Sequence, residues 1–248
     1  MKKRARVSYA WKPSTAQRGI GMADFALQRL AMVESQIRPN QVTDRRVIAA
    51  MRALPRERFV PPRLRDVAYS DEALEVFPSV DGASPRFLLA PMVLARLVQL
   101  ASVEPHETVL DVGCATGYST AVLAGVGKSV IGLEAELELA EAAKRALTEL
   151  NIANAAIVTG ALAQGHPAGG PYDVILLNGS VTEVPASLLA QLKEDGRLAT
   201  VIGRTANNPS QGQAYLFVKV AGEASGVPHF DAGARPLPDF APKPAFTF

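Results

Sequence analysis

The sequence predicts an α/β domain built on a mostly parallel sheet, and three observations lead to this prediction. From residue 108 onward, short apolar runs alternate with helical runs, as in a parallel sheet whose strands are connected by helices. One apolar run leads directly into a turn of small residues that is followed by a helix. A polar loop, 203–212, joins the last two apolar runs without a helix between them, which predicts a C-terminal antiparallel hairpin at the edge of the sheet.

Apolar periodicity assigns the individual elements. The alternating part of the chain is predicted to contain strands at 108–112, 129–134, 155–159, 173–178, 197–202 and 213–220, and helices at 117–125, 136–150 and 186–193. Apolar residues at helical spacing predict a helical N-terminal cap over 23–55, where Pro39 and Pro55 end two runs, and a further helix over 88–100. The proline- and glycine-rich stretch 56–85 is predicted to be mainly loop.

Composition favours one domain preceded by a basic extension. The chain has 248 residues, of which 48% are hydrophobic, and this suffices for one α/β domain with a sizeable core. Six of the 26 basic residues lie in 1–20 without any acid, which leaves 20 basic against 24 acidic residues in the rest. We therefore predict a disordered or spurious extension over 1–21, with a functional arm as the alternative. The single domain, 22–248, comprises a helical cap (22–107), a ligand-binding sheet (108–220) and a proline-rich C-terminal strap (221–248).

The bulk properties also exclude several classes of function. A mildly acidic domain argues against a nucleic-acid partner held by phosphate contacts. No apolar run approaches the roughly 18 residues of a membrane span, and the basic extension lacks the apolar core of a secretory signal. The single cysteine, Cys114, excludes an internal disulfide and fits a reducing, cytoplasmic setting. His106, His166 and His229 show no metal-ligand spacing, so no metal site is predicted.

The small-residue turn after the first strand of the alternating region is predicted to bind a ligand. It reads Asp111-x-Gly113-x-Ala115-x-Gly117. In a strand–turn–helix unit, backbone N–H groups and the helix N-terminus lie close to such a ligand. The turn differs from the pyrophosphate-binding G-x-G-x-x-G pattern, because an acid precedes it and its third small residue comes one position early. An acid here suits a ligand with a positive end, and S-adenosylmethionine carries an ammonium and a sulfonium.

A second acid supports a nucleoside site. Glu134 ends the next strand, 23 residues after Asp111, close to the roughly 20 expected for a carboxylate that accepts from ribose hydroxyls. Hydrogen bonds to a charged acceptor contribute about 1.5–3 kcal/mol each, enough to fix the orientation of a nucleoside. We therefore predict that these carboxylates, at neighbouring strand tips, hold a cationic nucleoside above the turn. An ordinary strand–helix turn is the alternative.

Further segments extend the pattern beyond the turn. They are Leu54-Pro-Arg-Glu-Arg-Phe-Val-Pro61, Ala68-Tyr-Ser-Asp-Glu-Ala-Leu74, Pro171-Tyr-Asp-Val-Ile175 and Gln191-Leu-Lys-Glu-Asp-Gly-Arg-Leu198. Together with Val109-Leu-Asp-Val-Gly113, they make residues 30–220 resemble the protein-L-isoaspartate O-methyltransferase family. The first two segments are not general methyltransferase features. The resemblance implies a Rossmann-like class I methyltransferase fold, S-adenosylmethionine as cofactor, and methyl transfer to the stray carboxylate of isoaspartyl residues in damaged proteins.

The chain departs from the family pattern at three places. The family's substrate loop, Gly-Gln-Thr-Ile-Ser, corresponds to the stretch 80–86, in which Ser84 keeps the serine and Arg86 replaces a proline. After the third strand the family has Gly-Asp-Gly, whose acid contacts the adenine amine. Ala161 stands there instead, which implies cofactor binding weaker by about 1–2 kcal/mol. Ala115 replaces a family glycine, and this change is tolerable if its φ is negative.

The resemblance also implies roles for single residues. A carboxylate acceptor is already ionised at neutral pH, so it needs positioning rather than a general base. Ser84 is a candidate hydroxyl donor to the acceptor oxygen, or a helix-capping hydroxyl. Arg86 is a candidate carboxylate clamp, or a helix-capping or solvent-facing residue. Asn178 is a candidate contact for cofactor or substrate, or part of a plain turn. Tyr118 is predicted beside the cofactor's amino-acid end or in the core, and Cys114 as a small turn residue rather than a nucleophile.

Three functions are consistent with these residues. The first is an S-adenosylmethionine-dependent methyltransferase related to the isoaspartyl repair enzymes, with a protein or peptide carboxylate as substrate. The altered loop 80–86 and Ala161 favour two others. One is a methyltransferase with a different acceptor, such as a small carboxylic acid. The other is a binding module that retains the fold without turnover.

Overall fold

The helical cap predicted at the N-terminal end is present in the computed structural model, which describes residues 24–79, 84–205 and 208–240. Its helices are α1 (Phe25–Met32), α2 (Arg45–Ala53) and α3 (Pro91–Ala101), with a π-helical turn at Val33–Ile37 and 3-10 turns at Arg38–Asn40, Arg56–Phe59 and Pro62–Val67. The side chain of Asp24 accepts from Ala26 N at 3.1 Å and that of Asp44 from Arg46 N at 2.7 Å, so each caps one helix. The predicted extension 1–21 lies outside the described residues.

A short hairpin connects the second and third helices of the cap. Its antiparallel strands are β1 (Leu74–Phe77) and β2 (Arg86–Leu88), and residues 80–83 between them lie outside the described part of the chain. The sequence analysis assigned 56–85 to loop and began a helix at 88, so it missed this hairpin. The helix begins at Pro91 instead, because Pro suits the first turn of a helix and the two preceding leucines extend from the strand.

The central sheet has seven strands among the described residues. They are β3 (Thr108–Val112), β4 (Ser129–Glu134), β5 (Ala155–Thr159), β6 (Tyr172–Val181), β7 (Leu192–Thr205), β8 (Asn208–Val220) and β9 (Glu223–Gly233). The order is β5-β4-β3-β6-β7-β8-β9. The first five in this order are parallel, and β8 and β9 are antiparallel to their neighbours. The carboxyl ends of β3, β4 and β6 therefore meet at one edge, where ligands of open α/β sheets bind.

Helices connect the parallel strands, as the alternation in the sequence indicates. They are α4 (Tyr118–Ala124), α5 (Leu137–Glu149) and α6 (Ala186–Leu189). The last of these ends four residues before the predicted limit of 193, because β7 already begins at Leu192. The region 221–248, predicted as a strap, differs more: residues Glu223–Gly233 form β9, and only Ala234–Phe240 run as an extended strap within the described residues.

Apolar side chains alternate between the two faces of the sheet and build a core on each. On one face Val109, Val174 and Ala199 pack with residues of the cap, α4 and α5. On the other face Leu110 and Ile175 pack in a second cluster that includes Leu237 and Phe240 of the strap. The strap is thus part of the core and lies beside the carboxyl ends of β3 and β6.

Candidate functional site

The small-residue turn between β3 and α4 adopts a backbone that favours glycine. Gly113 has φ +74° and Gly117 has φ +90°, both in the left-handed region. Ala115, between them, has φ +48°. The condition that this alanine keep a negative φ is therefore not met. An L-residue in this region costs about 1–2 kcal/mol relative to its ordinary conformation.

Asp111 is fully buried beneath this turn and is bound by the protein's own side chains. Its Oδ2 accepts from Ser119 Oγ at 2.7 Å and Thr120 Oγ1 at 2.6 Å, and Asn178 Nδ2 donates to its Oδ1. Burial raises the pKa of Asp111 to about 6, and the hydrogen bonds from Thr120, Ser119 and Asn178 oppose this rise. The carboxylate thus joins β3 to α4 and β6.

Glu134 lies at the tip of β4 with its carboxylate on the turn. Its Oε2 accepts from the Ala115 N–H at 2.7 Å, and its Oε1 accepts from the N–H groups of Ala135 at 2.9 Å and Glu136 at 3.2 Å. The side chain is fully buried. These three backbone donors hold the carboxylate at the carboxyl end of its strand, beside the turn, where the sequence analysis placed it.

Arg86 of β2 supplies a positive charge to this carboxylate. Its Nη1 donates to Glu134 Oε1 and forms an ion pair in which the Arg86 side chain is 2% exposed and the Glu134 side chain is fully buried. Its Nη2 is buried without a hydrogen-bond partner among the described residues. Arg86 was a candidate clamp for a substrate carboxylate, with a helix-capping or solvent-facing role as the alternative. In the structure it is buried and pairs with a carboxylate of the protein itself.

Leu237 of the strap lies over the same turn. A Cβ atom placed on Gly113 would be 2.8 Å from Leu237 Cδ2 and 3.0 Å from Arg86 Nη2, so both side chains contact the backbone of the turn. Two cavities of about 10 Å³ each remain beside them, about the space of one water molecule. One is lined in part by Gly113, Cys114 and Asn178. The other is lined in part by Arg86 and Leu237.

The other predicted site residues lie around this centre in different environments. Tyr118 is fully buried and packs edge-on against Phe59 with ring centroids 5.4 Å apart, which agrees with the core-packing alternative. Cys114 is buried, and burial raises the pKa of its thiol well above its ordinary value. Ser84 is exposed just before β2, and Ala161 is exposed just after β5. The roles assigned to these residues stay predictions.

The sequence analysis missed several residues that complete the site. Ser119 and Thr120 lie on the first turn of α4, eight and nine residues after Asp111. Because hydroxyl groups at this position can donate hydrogen bonds to a buried acid, the sequence could have indicated both residues. Leu237 gave no such signal. The proline-rich tail was predicted to lie on the domain, but nothing in its composition indicates which surface it covers.

Two classes of site are not found in the part of the chain that the structure describes. No group of three or more His, Cys, Asp or Glu side chains is arranged to hold a metal ion there. Among the same residues, no helix has both the length and the apolar character needed to cross a membrane.

Comparison with a family model gives an independent assignment. Residues 27–224 match the model described as protein-L-isoaspartate(D-aspartate) O-methyltransferase. A protein-L-isoaspartate O-methyltransferase of Koribacter versatilis is 33% identical over 216 residues, which cover 87% of this chain and 93% of that protein. Protein-L-isoaspartate O-methyltransferase 1 of Rhodopseudomonas palustris (strain HaA2) is 37% identical over 72% of this chain and 71% of that protein.

Solved structures confirm the fold. A protein-L-isoaspartate O-methyltransferase structure matches with a TM-score of 0.71 and 28% identity, covering 84% of this chain and 65% of that one. This chain therefore spans slightly less than two thirds of that solved chain. A structure from Plasmodium falciparum, described as a protein-L-isoaspartate O-methyltransferase in complex with S-adenosyl-L-homocysteine, matches with a TM-score of 0.67 and 22% identity, over 83% of this chain and 95% of that one. The predicted Rossmann-like class I methyltransferase fold is confirmed.

Proposed function

The chain belongs to the protein-L-isoaspartate(D-aspartate) O-methyltransferase family, and we propose that it transfers a methyl group from S-adenosylmethionine to the carboxylate of isoaspartyl residues in proteins. The family consists of S-adenosylmethionine-dependent enzymes. The match covers the turn, the acid at the tip of β4 and the hairpin that carries Arg86, whereas the strap 234–240 lies outside it. We further propose that the protein works in the cytoplasm, where its single cysteine stays reduced.

The observation that carries this proposal is the position of Glu134. Its carboxylate is held at the tip of β4 by the Ala115 N–H of the neighbouring turn. An acid at this point of an open α/β sheet accepts hydrogen bonds from the hydroxyl pair of a ribose. A carboxylate already fixed by backbone donors loses little conformational entropy when a nucleoside binds to it.

The cofactor does not fit the arrangement that the structure describes. Arg86 already engages the Glu134 carboxylate, and Leu237 covers Gly113. Among the described residues, the two cavities that Arg86, Leu237 and the turn line are about 10 Å³ each, whereas small-molecule sites occupy about 300–1,000 Å³. Cofactor binding therefore requires that both side chains move away from the turn.

The chain's own residues have defined tasks in the proposed reaction. An isoaspartyl carboxylate is ionised at neutral pH, so no residue has to remove a proton from it. We propose that Ser84, exposed beside β2, donates its hydroxyl hydrogen to one acceptor oxygen and orients the other toward the site. Asp111, through Ser119, Thr120 and Asn178, keeps β3, α4 and β6 in register around the turn.

Methyl transfer to a peptide pair tests the proposal. With labelled S-adenosylmethionine, we expect counts in a peptide with one isoaspartyl residue and background in its normal aspartyl twin. Glu134→Gln should reduce transfer strongly, because it removes the charged acceptor of the ribose hydroxyls. Glu138→Gln, on the exposed first turn of α5, is the matched control and should retain activity. Background counts in both peptides with the unaltered protein would remove the repair function.

A further inference from the structure

Two segments distant in sequence meet over the cofactor turn. Arg86 reaches it from the hairpin of the cap, and Leu237 reaches it from the C-terminal strap. The guanidinium satisfies the same carboxylate that a ribose hydroxyl pair would use, since both present hydrogen-bond donors to it. The positive charge that pairs with the Glu134 carboxylate in this arrangement thus comes from Arg86 of the chain and not from a ligand.

The strap is fastened to the sheet rather than loosely placed. Ser180 N donates to Arg235 O and Leu237 N donates to Ser180 O, both at 2.9 Å, as in a parallel bridge beside the end of β6. Thr182 Oγ1 donates to Phe240 O at 2.9 Å. These bonds hold Leu237 over the turn.

The strap and the hairpin also contact each other. The guanidinium of Arg235 lies 5.3 Å from the ring centroid of Phe87, the neighbour of Arg86 on β2. One of the small cavities is lined by residues of both segments, among them Arg86, Phe87, Arg235 and Leu237. A movement of the strap away from the turn therefore removes contacts of the strand that carries Arg86.

We propose that Arg86 and the strap 234–240 form an internal plug that competes with the cofactor for Glu134. In the closed state Arg86 pairs with Glu134 and Leu237 covers Gly113. In the open state both have left, Glu134 accepts from the ribose, and Arg86 is free to meet a carboxylate outside the site. This inference rests on the proposed function, because it assumes that the turn binds S-adenosylmethionine.

The plug makes a quantitative prediction about affinity. When only a fraction of the molecules is open, the measured dissociation constant equals the intrinsic one divided by that fraction. Changes that weaken the plug without touching Glu134 should therefore tighten ligand binding. The ion pair stabilises the closed protein, so its loss should lower the melting temperature of the ligand-free protein at the same time.

Calorimetric titration of the full chain with S-adenosylhomocysteine tests this prediction. We expect Arg86→Gln and Leu237→Ala each to lower the dissociation constant about tenfold or more. The matched controls are Arg52→Gln on the exposed face of α2 and Leu27→Ala, which is 62% exposed on α1. Both controls should bind as the unaltered protein does. If Arg86→Gln fails to fold, Leu237→Ala carries the test.

Hydrogen exchange of the unaltered protein gives a second readout. Saturating S-adenosylhomocysteine should accelerate exchange at the amides of 235–240, although ligands usually protect the segments near them. Equal dissociation constants in all variants, or protection of 235–240 by the ligand, would overturn the plug and leave the peptide assay of the proposed function unaffected. Absence of heat with every variant at millimolar ligand would overturn both.

Discussion

Ala115 combines a strained backbone with a contact that the site needs. Its φ of +48° lies in the region that glycine adopts freely, and its N–H donates to Glu134 Oε2. The strain persists because the turn is fixed on one side by Gly113 N donating to Leu133 O and on the other by the start of α4. The sequence predicts a small residue here, but it does not predict the sign of φ.

Relief of this strain should stabilise the protein. We expect Ala115→Gly to raise the free energy of unfolding by about 1 kcal/mol, since the relieved strain exceeds the extra backbone entropy of glycine in the unfolded chain. Thermal melting should show an increase of about 2–4 °C. Ala121→Gly, in the middle of α4, is the control and should lower stability, because glycine is unfavourable in a helix. A melting temperature lowered by Ala115→Gly would contradict the account of the turn.

The raised pKa of Asp111 makes the stability depend on pH in a defined direction. Because burial raises this pKa from 3.8 to about 6, the folded protein binds more protons than the unfolded chain between these values. The contribution of Asp111 to the unfolding free energy therefore falls, by about 3 kcal/mol, as the pH rises through this window. Denaturant unfolding of the unaltered protein and of Asp111→Asn at several pH values measures this contribution to the unfolding free energy. The difference in unfolding free energy between the two proteins should change by about 2 kcal/mol from pH 4 to 7, most of this contribution. A difference that stays constant would refute the prediction.

At the scale of elements, Arg197 connects the end of α3 to the entrance of β3. Its Nη1 and Nη2 donate to the two carboxylate oxygens of Glu107 at 2.8 and 2.7 Å, and its Nε donates to Ala101 O at 2.9 Å. Burial raises the pKa of Glu107, but the hydrogen bonds from Arg197 and from the Glu104 N–H outweigh it and hold the pKa below its ordinary value. This pair fixes β7 and β3 to the helix that covers them.

Loss of the ion pair between Arg197 and Glu107 should destabilise the protein. We expect Glu107→Gln to lower the free energy of unfolding by about 1–3 kcal/mol at pH 7. Because the folded pKa is lowered, the stabilisation is present above the ordinary value of 4.5 and is lost as the pH falls below it. Glu104→Gln is the control in the same loop. Its carboxylate pairs with the more exposed Arg46, so the change should stay below about 1 kcal/mol. Equal denaturation midpoints for the two variants would contradict the assignment.

The elements differ in how far the sequence predicts them. The parallel strands β3, β4 and β5 are predicted at their exact bounds, because a buried strand is a short apolar run bounded by turn residues. The hairpin strands β1 and β2 have four and three residues, too few to establish a period. Strand β9 is largely exposed and contains glycine and proline, so its sequence resembles a loop. The position of β9 depends on its pairing with β8, and no local sequence pattern predicts this pairing.

At the scale of the whole molecule, the strap completes the core on one face of the sheet. Leu237 is 5% exposed and Phe240 is 6% exposed, and both pack with Leu110, Ile175 and Leu198. The pairing of Arg86 with Glu134 joins residues 48 positions apart in the same way. Both contacts depend on how distant segments are arranged in the fold. The sequence therefore predicts the acids of the site but not what lies against them.

The core position of the strap predicts its contribution to stability. We expect Phe240→Ala to lower the free energy of unfolding by about 3 kcal/mol, as for large aromatic residues in a core. Val227→Ala on β9, where Val227 is 57% exposed, should change it by less than about 0.5 kcal/mol. Urea unfolding of both variants measures the difference. If the two variants were equally stable, the strap would not be part of the core.

The rate of methyl transfer to an isoaspartyl peptide, measured against S-adenosylmethionine concentration for the unaltered protein and Arg86→Gln, tests the central claim most directly. A methyltransferase whose cofactor site is closed by Arg86 should methylate this peptide and not its aspartyl twin. The KM for S-adenosylmethionine should fall about tenfold in Arg86→Gln. Transfer by neither protein, or the same KM in both, would contradict the account.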